Sequence, residues 1–262
     1  MTTATSEKLN SEKSTTDKAA RVVTRAEWLA ARKELLAKER EFTHLRDELS
    51  RQRRELPWVK IEKQYRFEGA NGGETLDDLF DGRGQLLVYH FMFGPGWKEG
   101  CPSCSFLADS FDAAALHLAQ RDTTLAVVSR APLPEIDTFK KRMGWRFKWV
   151  SSFGSDFNHD YHVTFTKEEL ASGAADYNFG GGMDFASEEL PGASAFIRKD
   201  GQVFHTYSTY ARGLDILLPT YNWLDMTAKG RDEDSLPWPM AWVRHHDRYS
   251  DGKVVGIKGI TA

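Results

Sequence analysis

The pattern of apolar and polar positions begins with a polar stretch. Residues 1–20 are rich in Ser, Thr and Lys and predict a disordered tail. A capping box, Thr24-x-x-Glu27, then stands directly before Trp28. From there to Glu55, Ala, Leu, Lys, Arg and Glu dominate without a Gly or Pro, and Pro57 ends the predicted helix. Trp28, Leu35, Phe42, Leu49 and Leu56 recur every seven residues, with Ala31 and Leu45 beside them. That is one narrow apolar seam on a charged helix. Such a seam packs along its own domain or against a second copy, giving a homodimer through the N-terminal helix.

Beyond Pro57 the period changes. Val59, Ile61, Tyr65 and Phe67 alternate as in a strand, Gly69–Gly73 turns the chain, and Thr75–Phe80 predicts a short helical turn. Gln85–Phe93 is a nearly continuous apolar run, the signature of a strand buried on both faces, and Gly94-Pro95-Gly96 breaks it. Phe106, Leu107, Phe111, Ala114, Ala115 and Leu118 follow at helical spacing, then a second apolar strand, Thr124–Ser129. Residues 133–143 predict a helix, Trp145–Trp149 irregular structure, Thr166–Leu170 a short helix and Gly180–Gly182 a flexible loop. Ala193–Arg198 and Gln202–Tyr207, joined around Asp200-Gly201, predict a β-hairpin. A last helix starts near Leu214 and breaks at Pro219, and an irregular tail follows from Lys229.

The chain has two cysteines, and they stand together as Cys101-Pro102-Ser103-Cys104 between the first core strand and its helix. Strand, CxxC, helix, strand is a βαβ unit with the thiols at the C-terminal edge of its first strand, where chemistry in open α/β sheets concentrates. Pro102 suits the first helical position. Thiols at the first turn face unpaired backbone N–H groups and the positive end of the helix dipole, which favour thiolate. The pair therefore reads as a dithiol/disulfide centre.

Bulk composition changes the picture in three ways. An apolar share of 40% with eight Trp and sixteen Phe supplies a core without disulfide staples. A net charge of −3 argues against a nucleic-acid partner held by bulk electrostatics. Neither a membrane-spanning run nor a signal-peptide core is present in the sequence, so a cytoplasmic protein without a membrane partner is expected. In that compartment a CxxC is catalytic or metal-binding rather than structural.

Several longer segments carry a resemblance: Glu55-Leu56-Pro57-Trp58-Val59, Tyr89–Pro95, Gly100–Phe106, Trp149–Asn158 and Phe204–Tyr210. Across roughly residues 24–248 the chain resembles the bacterial thioredoxin-like proteins catalogued as domain of unknown function 899. The resemblance implies a three-layer α/β thioredoxin-like fold, a central mixed sheet flanked by helices, with a long N-terminal helical extension. The expected division is a tail at 1–20, the charged helix at 21–56, the thioredoxin-like domain at 57–228 and an irregular tail at 229–262. It also implies a dithiol-disulfide oxidoreductase that needs no cofactor and takes a protein or small-molecule thiol or disulfide as substrate. Cys101 would be the attacking thiol and Cys104 the resolving one. Pro191, ahead of an apolar strand, would match the cis-proline that presents backbone to substrate, and Gly192 beside it also fits an ordinary turn. His90, near the place of thioredoxin's buried acid, would exchange a proton with Cys104, against the plainer reading of a packed core histidine. The peroxidase motif Pro-x-x-x-Thr/Ser-x-x-Cys is absent, since Gly94 and Lys98 occupy its two positions.

Two other readings compete. A Cu(I) site could form from Cys101, Cys104 and a histidine, His90 or His205; zinc fits less well with two cysteines. A redox-inert scaffold could use the 24–56 helix for partner binding. The pairs His159/His162 and His245/His246 read as locally bonded side chains, and Trp145 and Trp149 as core or rim.

Overall fold

The computed structural model describes residues 20–180 and 187–249. The tail at 1–19, most of the Gly180–Gly182 loop and residues from 250 on lie outside that range. The described chain divides into two units that meet at Arg53/Arg54. The first holds all but the last two residues of one helix, α1 (Arg25–Glu55), opened by the Thr24/Glu27 capping box, with no buried side chain.

The second unit is built on one eight-stranded sheet. In chain order it holds β1 (Val59–Lys60), β2 (Arg66–Gly69), β3 (Gly72–Thr75), a 3₁₀ turn at 78–80 and β4 (Gln85–His90). Next come α2 (Pro102–Ala108), α3 (Phe111–Ala119), β5 (Thr123–Ser129), α4 (Leu133–Arg142), β6 (Lys148–Ser151), α5 (Phe157–Asp160) and α6 (Lys167–Ser172). The hairpin β7 (Gly192–Lys199) and β8 (Gln202–Tyr210), a 3₁₀ run at 211–217, α7 (Pro219–Leu224) and a 3₁₀ turn at 246–248 follow. The strand order is β1-β8-β7-β4-β5-β6-β2-β3. β4, β5 and β6 are parallel, while β7 and β8 run antiparallel beside β4. A central strand leading into CxxC, a crossover to a parallel neighbour and an antiparallel hairpin on the other side make the expected thioredoxin arrangement.

Strand alternation divides the core. Tyr89, Phe91, Val127 and Trp149 point to one face, covered by α2, α3, α4 and α7. Leu86, Val88, Ala126, Val128 and Val150 point to the other, against Phe67, Phe80, Phe157, Tyr161 and Phe196. His90 belongs to this second face, where its ring stacks on Tyr161.

Four local expectations change. The last helix, expected from near Leu214 to a break at Pro219, is a 3₁₀ run at 211–217, and Pro219 opens α7 rather than ending a helix. The single helix after CxxC is two helices, because the chain turns at Asp109-Ser110, where Ser110 N–H and Oγ both bond the Leu107 carbonyl. The strand expected over Val59–Phe67 is two pieces, one pairing with β8 and one with β3 and β6. The segment Trp145–Trp149, expected to be irregular, leads into and partly forms β6. Trp145, Phe147 and Trp149 alternate and are all buried on the dithiol face. Asp112 on α3 positions this edge by accepting the backbone N–H groups of Arg146 and Phe147, with Oδ1 at 3.0 and 2.7 Å. Removing that carboxylate leaves two donors to find new partners. Asp112→Ala is expected to lower unfolding stability by about 2 kcal/mol, read as a shifted urea midpoint with an unchanged slope.

Candidate functional site

The dithiol forms where β4 runs out. Past His90 the chain stays extended, with Phe91 N–H bonded to Val128 and the Phe93 carbonyl to Ala131. Between these, Met92 turns its backbone toward α2. Its carbonyl accepts the Cys101 N–H at 3.0 Å, and its N–H points at the Cys104 sulfur at 3.5 Å. One peptide segment thus holds both cysteines.

Cys101 caps α2 with extended backbone, Pro102 takes the first turn, and Ser105 returns both its N–H and its hydroxyl to the Cys101 carbonyl. Cys101 is half-buried, whereas Cys104 is 2% exposed. The two sulfurs are not bonded to each other.

The environments separate the two thiols. The Cys101 thiol is lowered to about 7, first by the hydrogen bond from Cys104 and then by the backbone N–H groups of Cys104 and Ser103, against the opposing effect of burial. The Cys104 thiol is pushed well above its ordinary value, first by burial and then by its bond to Cys101 and the neighbouring charge. Two donors oppose that rise: the Tyr89 hydroxyl, which stays protonated in its buried position, and the Met92 N–H. Tyr89 is hidden in an apolar run of the sequence. The available signal is its position one residue from His90, on the face that α2 covers.

His90 does not serve the dithiol. It lies on the opposite face of β4, fully buried against Phe157 and Tyr161, with Nε2 2.9 Å from Ser194 Oγ. Burial, reinforced by nearby His205, lowers it to about 3, so it stays neutral. The expected proton exchange with Cys104 is therefore corrected: strand alternation puts Tyr89 there instead. His205 bonds Ser208 and packs edge-on against Tyr161, also away from the thiols. Among the described residues no cluster of three His, Cys, Asp or Glu side chains stands ready to hold a metal.

Pro191 takes the second of the two readings open to it in its backbone geometry. It stands one residue before Gly192, which pairs with His90 at the end of β4. Its peptide bond is trans rather than cis, and its carbonyl accepts the Tyr177 hydroxyl at 2.7 Å.

Two features near the thiols have no signal in the sequence. Glu189 is 2% exposed, accepting Arg130 at 2.9 Å and Thr164 at 2.8 Å. It presses on the loop that leads to Cys101: a Cβ on Gly94 would come within 3.1 Å of Glu189 Cγ and 3.0 Å of Trp97 Nε1. The second is the segment after Lys229. It has little regular structure, yet it packs on the site. His245, buried, donates from Nε2 to the Gly100 carbonyl at 2.8 Å, and Nδ1 lies 3.1 Å from Arg142 Nη2. Glu99 meets Arg248 and Arg142, and Arg142 meets Asp247. Trp242 lies edge-on to Phe106 of α2. The residue before Cys101 is thereby pinned from the C-terminal side of the chain.

This fold and this dithiol define a thioredoxin-like protein. Residues 17–249 match the family described as "Bacterial protein of unknown function (DUF899)", and the chain belongs to it. No curated protein matches the chain. Among solved structures it is similar to a peroxiredoxin Q of Xanthomonas campestris, at 16% identity and a TM-score of 0.37, over 63% of this chain and 95% of that one. It is also similar to the mitochondrial 2-Cys peroxiredoxin of Plasmodium falciparum, at 14% identity and a TM-score of 0.40, over 62% and 88%. Peroxidoxin BcpB from Mycobacterium tuberculosis gives 14% and 0.36, over 63% and 95%. Among the described residues no helix is long and apolar enough to cross a membrane.

Burial raises Glu189 to about 7 despite Arg130, so its charged form is the disfavoured one in the fold. A raised carboxyl group contributes stability in full below its unfolded value near 4.5 and loses it as pH rises through about 7. The unfolding free energy from urea titrations should therefore fall from pH 5 to pH 8 in the wild type relative to Glu189→Gln, by about 3 kcal/mol at most. Parallel curves for the two proteins would contradict this.

Proposed function

We propose that the protein is a thiol-disulfide oxidoreductase working through Cys101 and Cys104. The observation that carries this reading is the asymmetry of the pair: a half-buried sulfur surrounded by donors beside a buried one that holds its proton. Near neutral pH a substantial share of Cys101 is thiolate, and it is the nucleophile. It attacks one sulfur of a substrate disulfide; the S–S bond breaks, a mixed disulfide forms, and the other substrate sulfur leaves as thiolate. Once Cys101 is bonded, it no longer carries the charge that held the Cys104 proton. Tyr89 and the Met92 N–H then stabilise a Cys104 thiolate. That thiolate attacks the Cys101 sulfur, closes the Cys101–Cys104 disulfide and releases the second substrate sulfur. The Cys104 proton and one from solvent end on the two substrate thiols. Two electrons pass to the substrate, and the reverse sequence oxidises a dithiol.

The cycle draws only on the chain's own thiols and the substrate. The copper reading loses its third ligand with His90 and His205 on the other face of the sheet. Reduction of peroxide in the manner of peroxiredoxins is disfavoured by Gly94 and Lys98, which offer neither the proline nor the hydroxyl of that motif.

Single-turnover reduction of a small aromatic disulfide tests the reading. Wild type should complete the reaction, Cys101→Ser should be inactive, and Cys104→Ser should stop at a mixed disulfide visible by mass. A Cys101→Ser protein as active as wild type would overturn it. Alkylation of Cys101 should rise through about pH 7 and then level off. Tyr89→Phe should leave that profile in place and slow resolution of the mixed disulfide by about tenfold, the equivalent of about 1.4 kcal/mol from one hydrogen bond to a charged sulfur.

A further inference from the structure

The charges on α1 specify a partner. Taking Trp28, Leu35, Phe42, Leu49 and Leu56 as the a positions of a heptad, Ala31, Lys38, Leu45 and Gln52 fall at d. Every position preceding an a residue is then glutamate: Glu27, Glu34, Glu41, Glu48 and Glu55. The e positions are Arg32, Glu39, Arg46 and Arg53. The seam side chains Trp28, Leu35, Phe42, Leu45 and Leu49 are exposed, and the helix is about 46 Å long, from 31 residues at 1.5 Å each.

We propose that α1 pairs with α1 of a second copy of this chain as a parallel, in-register two-stranded coiled coil. In that geometry each g residue faces the e residue five positions further along the other helix. Glu27 meets Arg32, Glu41 meets Arg46 and Glu48 meets Arg53, each pair occurring twice by symmetry, against one like-charged pair, Glu34 with Glu39. The antiparallel alternative sets g against g and e against e, which confronts glutamate with glutamate along one flank and mostly arginine with arginine along the other. Charge thus selects both the partner and the direction. Within one helix Arg32 pairs with Glu39 and Glu48 with Arg51, and these exposed pairs can exchange partners at little cost. Lys38 and Gln52 at d weaken the seam and penalise shifted registers, since polar core positions fix register.

The test uses the full-length protein. Sedimentation equilibrium at tens of micromolar should give a dimer. Glu41→Lys/Glu48→Lys places lysine opposite Arg46 and Arg53, and Arg46→Glu/Arg53→Glu places glutamate opposite glutamate. Each double variant alone should self-associate at least tenfold more weakly, and a mixture of the two should form the heterodimer. Gln52→Cys in a Cys101→Ser/Cys104→Ser chain should oxidise to a disulfide-linked dimer, because only the parallel register brings the two copies of residue 52 together. A monomeric wild type overturns the proposal, as does a dimer indifferent to the charge variants or one that does not cross-link at residue 52.

Discussion

The structure depends on a single backbone segment. Met92 lies just past the hydrogen-bonded part of β4, and its two polar groups are committed to the two cysteines: carbonyl to Cys101 N–H, N–H to Cys104 sulfur. This fixes the start of α2 against the sheet and places both thiols at the strand's edge. It also gives the buried sulfur one of the two donors it needs to exist as thiolate. The rest of the dithiol face follows from that anchor. Tyr89, one alternation back from Phe91, reaches the same sulfur, and an aromatic layer of Phe91, Phe139, Trp145 and Trp149 closes beneath it.

Around this anchor the molecule applies pressure from two directions. Gly100 has no space for a side chain: a Cβ there would meet Phe91 at 2.6 Å and Phe139 at 2.7 Å, while its carbonyl is held by His245. Glu189 and Trp97 close on Gly94 at the other end of the same loop. The approach to Cys101 is therefore held at both ends by side chains far away in sequence. That rigidity keeps the half-buried sulfur in reach of the N–H groups of Ser103 and Cys104 that lower it.

Much of this is legible in the residues because it rests on short-range rules. The apolar run at Gln85–Phe93, the proline after Cys101 and the Asp200-Gly201 turn each name their element directly, and together they give the βαβ unit and the hairpin. The dithiol needs nothing more than its place between strand and helix. What escapes depends on which face a strand residue shows. The resemblance puts His90 near the place of thioredoxin's buried acid and makes it read as the partner of Cys104, yet one step of strand alternation exchanges it for Tyr89. β6 is obscured because Arg146 and Lys148 interrupt its aromatics, although Trp145, Phe147 and Trp149 already show the period of two. Glu189, Arg130, His245 and Glu99 come together only through tertiary folding, with separations such as 145 residues between His245 and Gly100. No local pattern encodes contacts of that kind.

The central claim is that Cys101 and Cys104 form a reversible two-electron couple. The most direct measurement is equilibration of metal-free protein in thiol/disulfide buffers across a range of potentials, with the oxidised fraction read from thiol labelling by mass. One two-electron transition is expected, in which both cysteines disappear from the labelled pool together, with no such transition in Cys101→Ser or Cys104→Ser. A pair that stays fully reduced at every potential, or that oxidises one cysteine without the other, would contradict it.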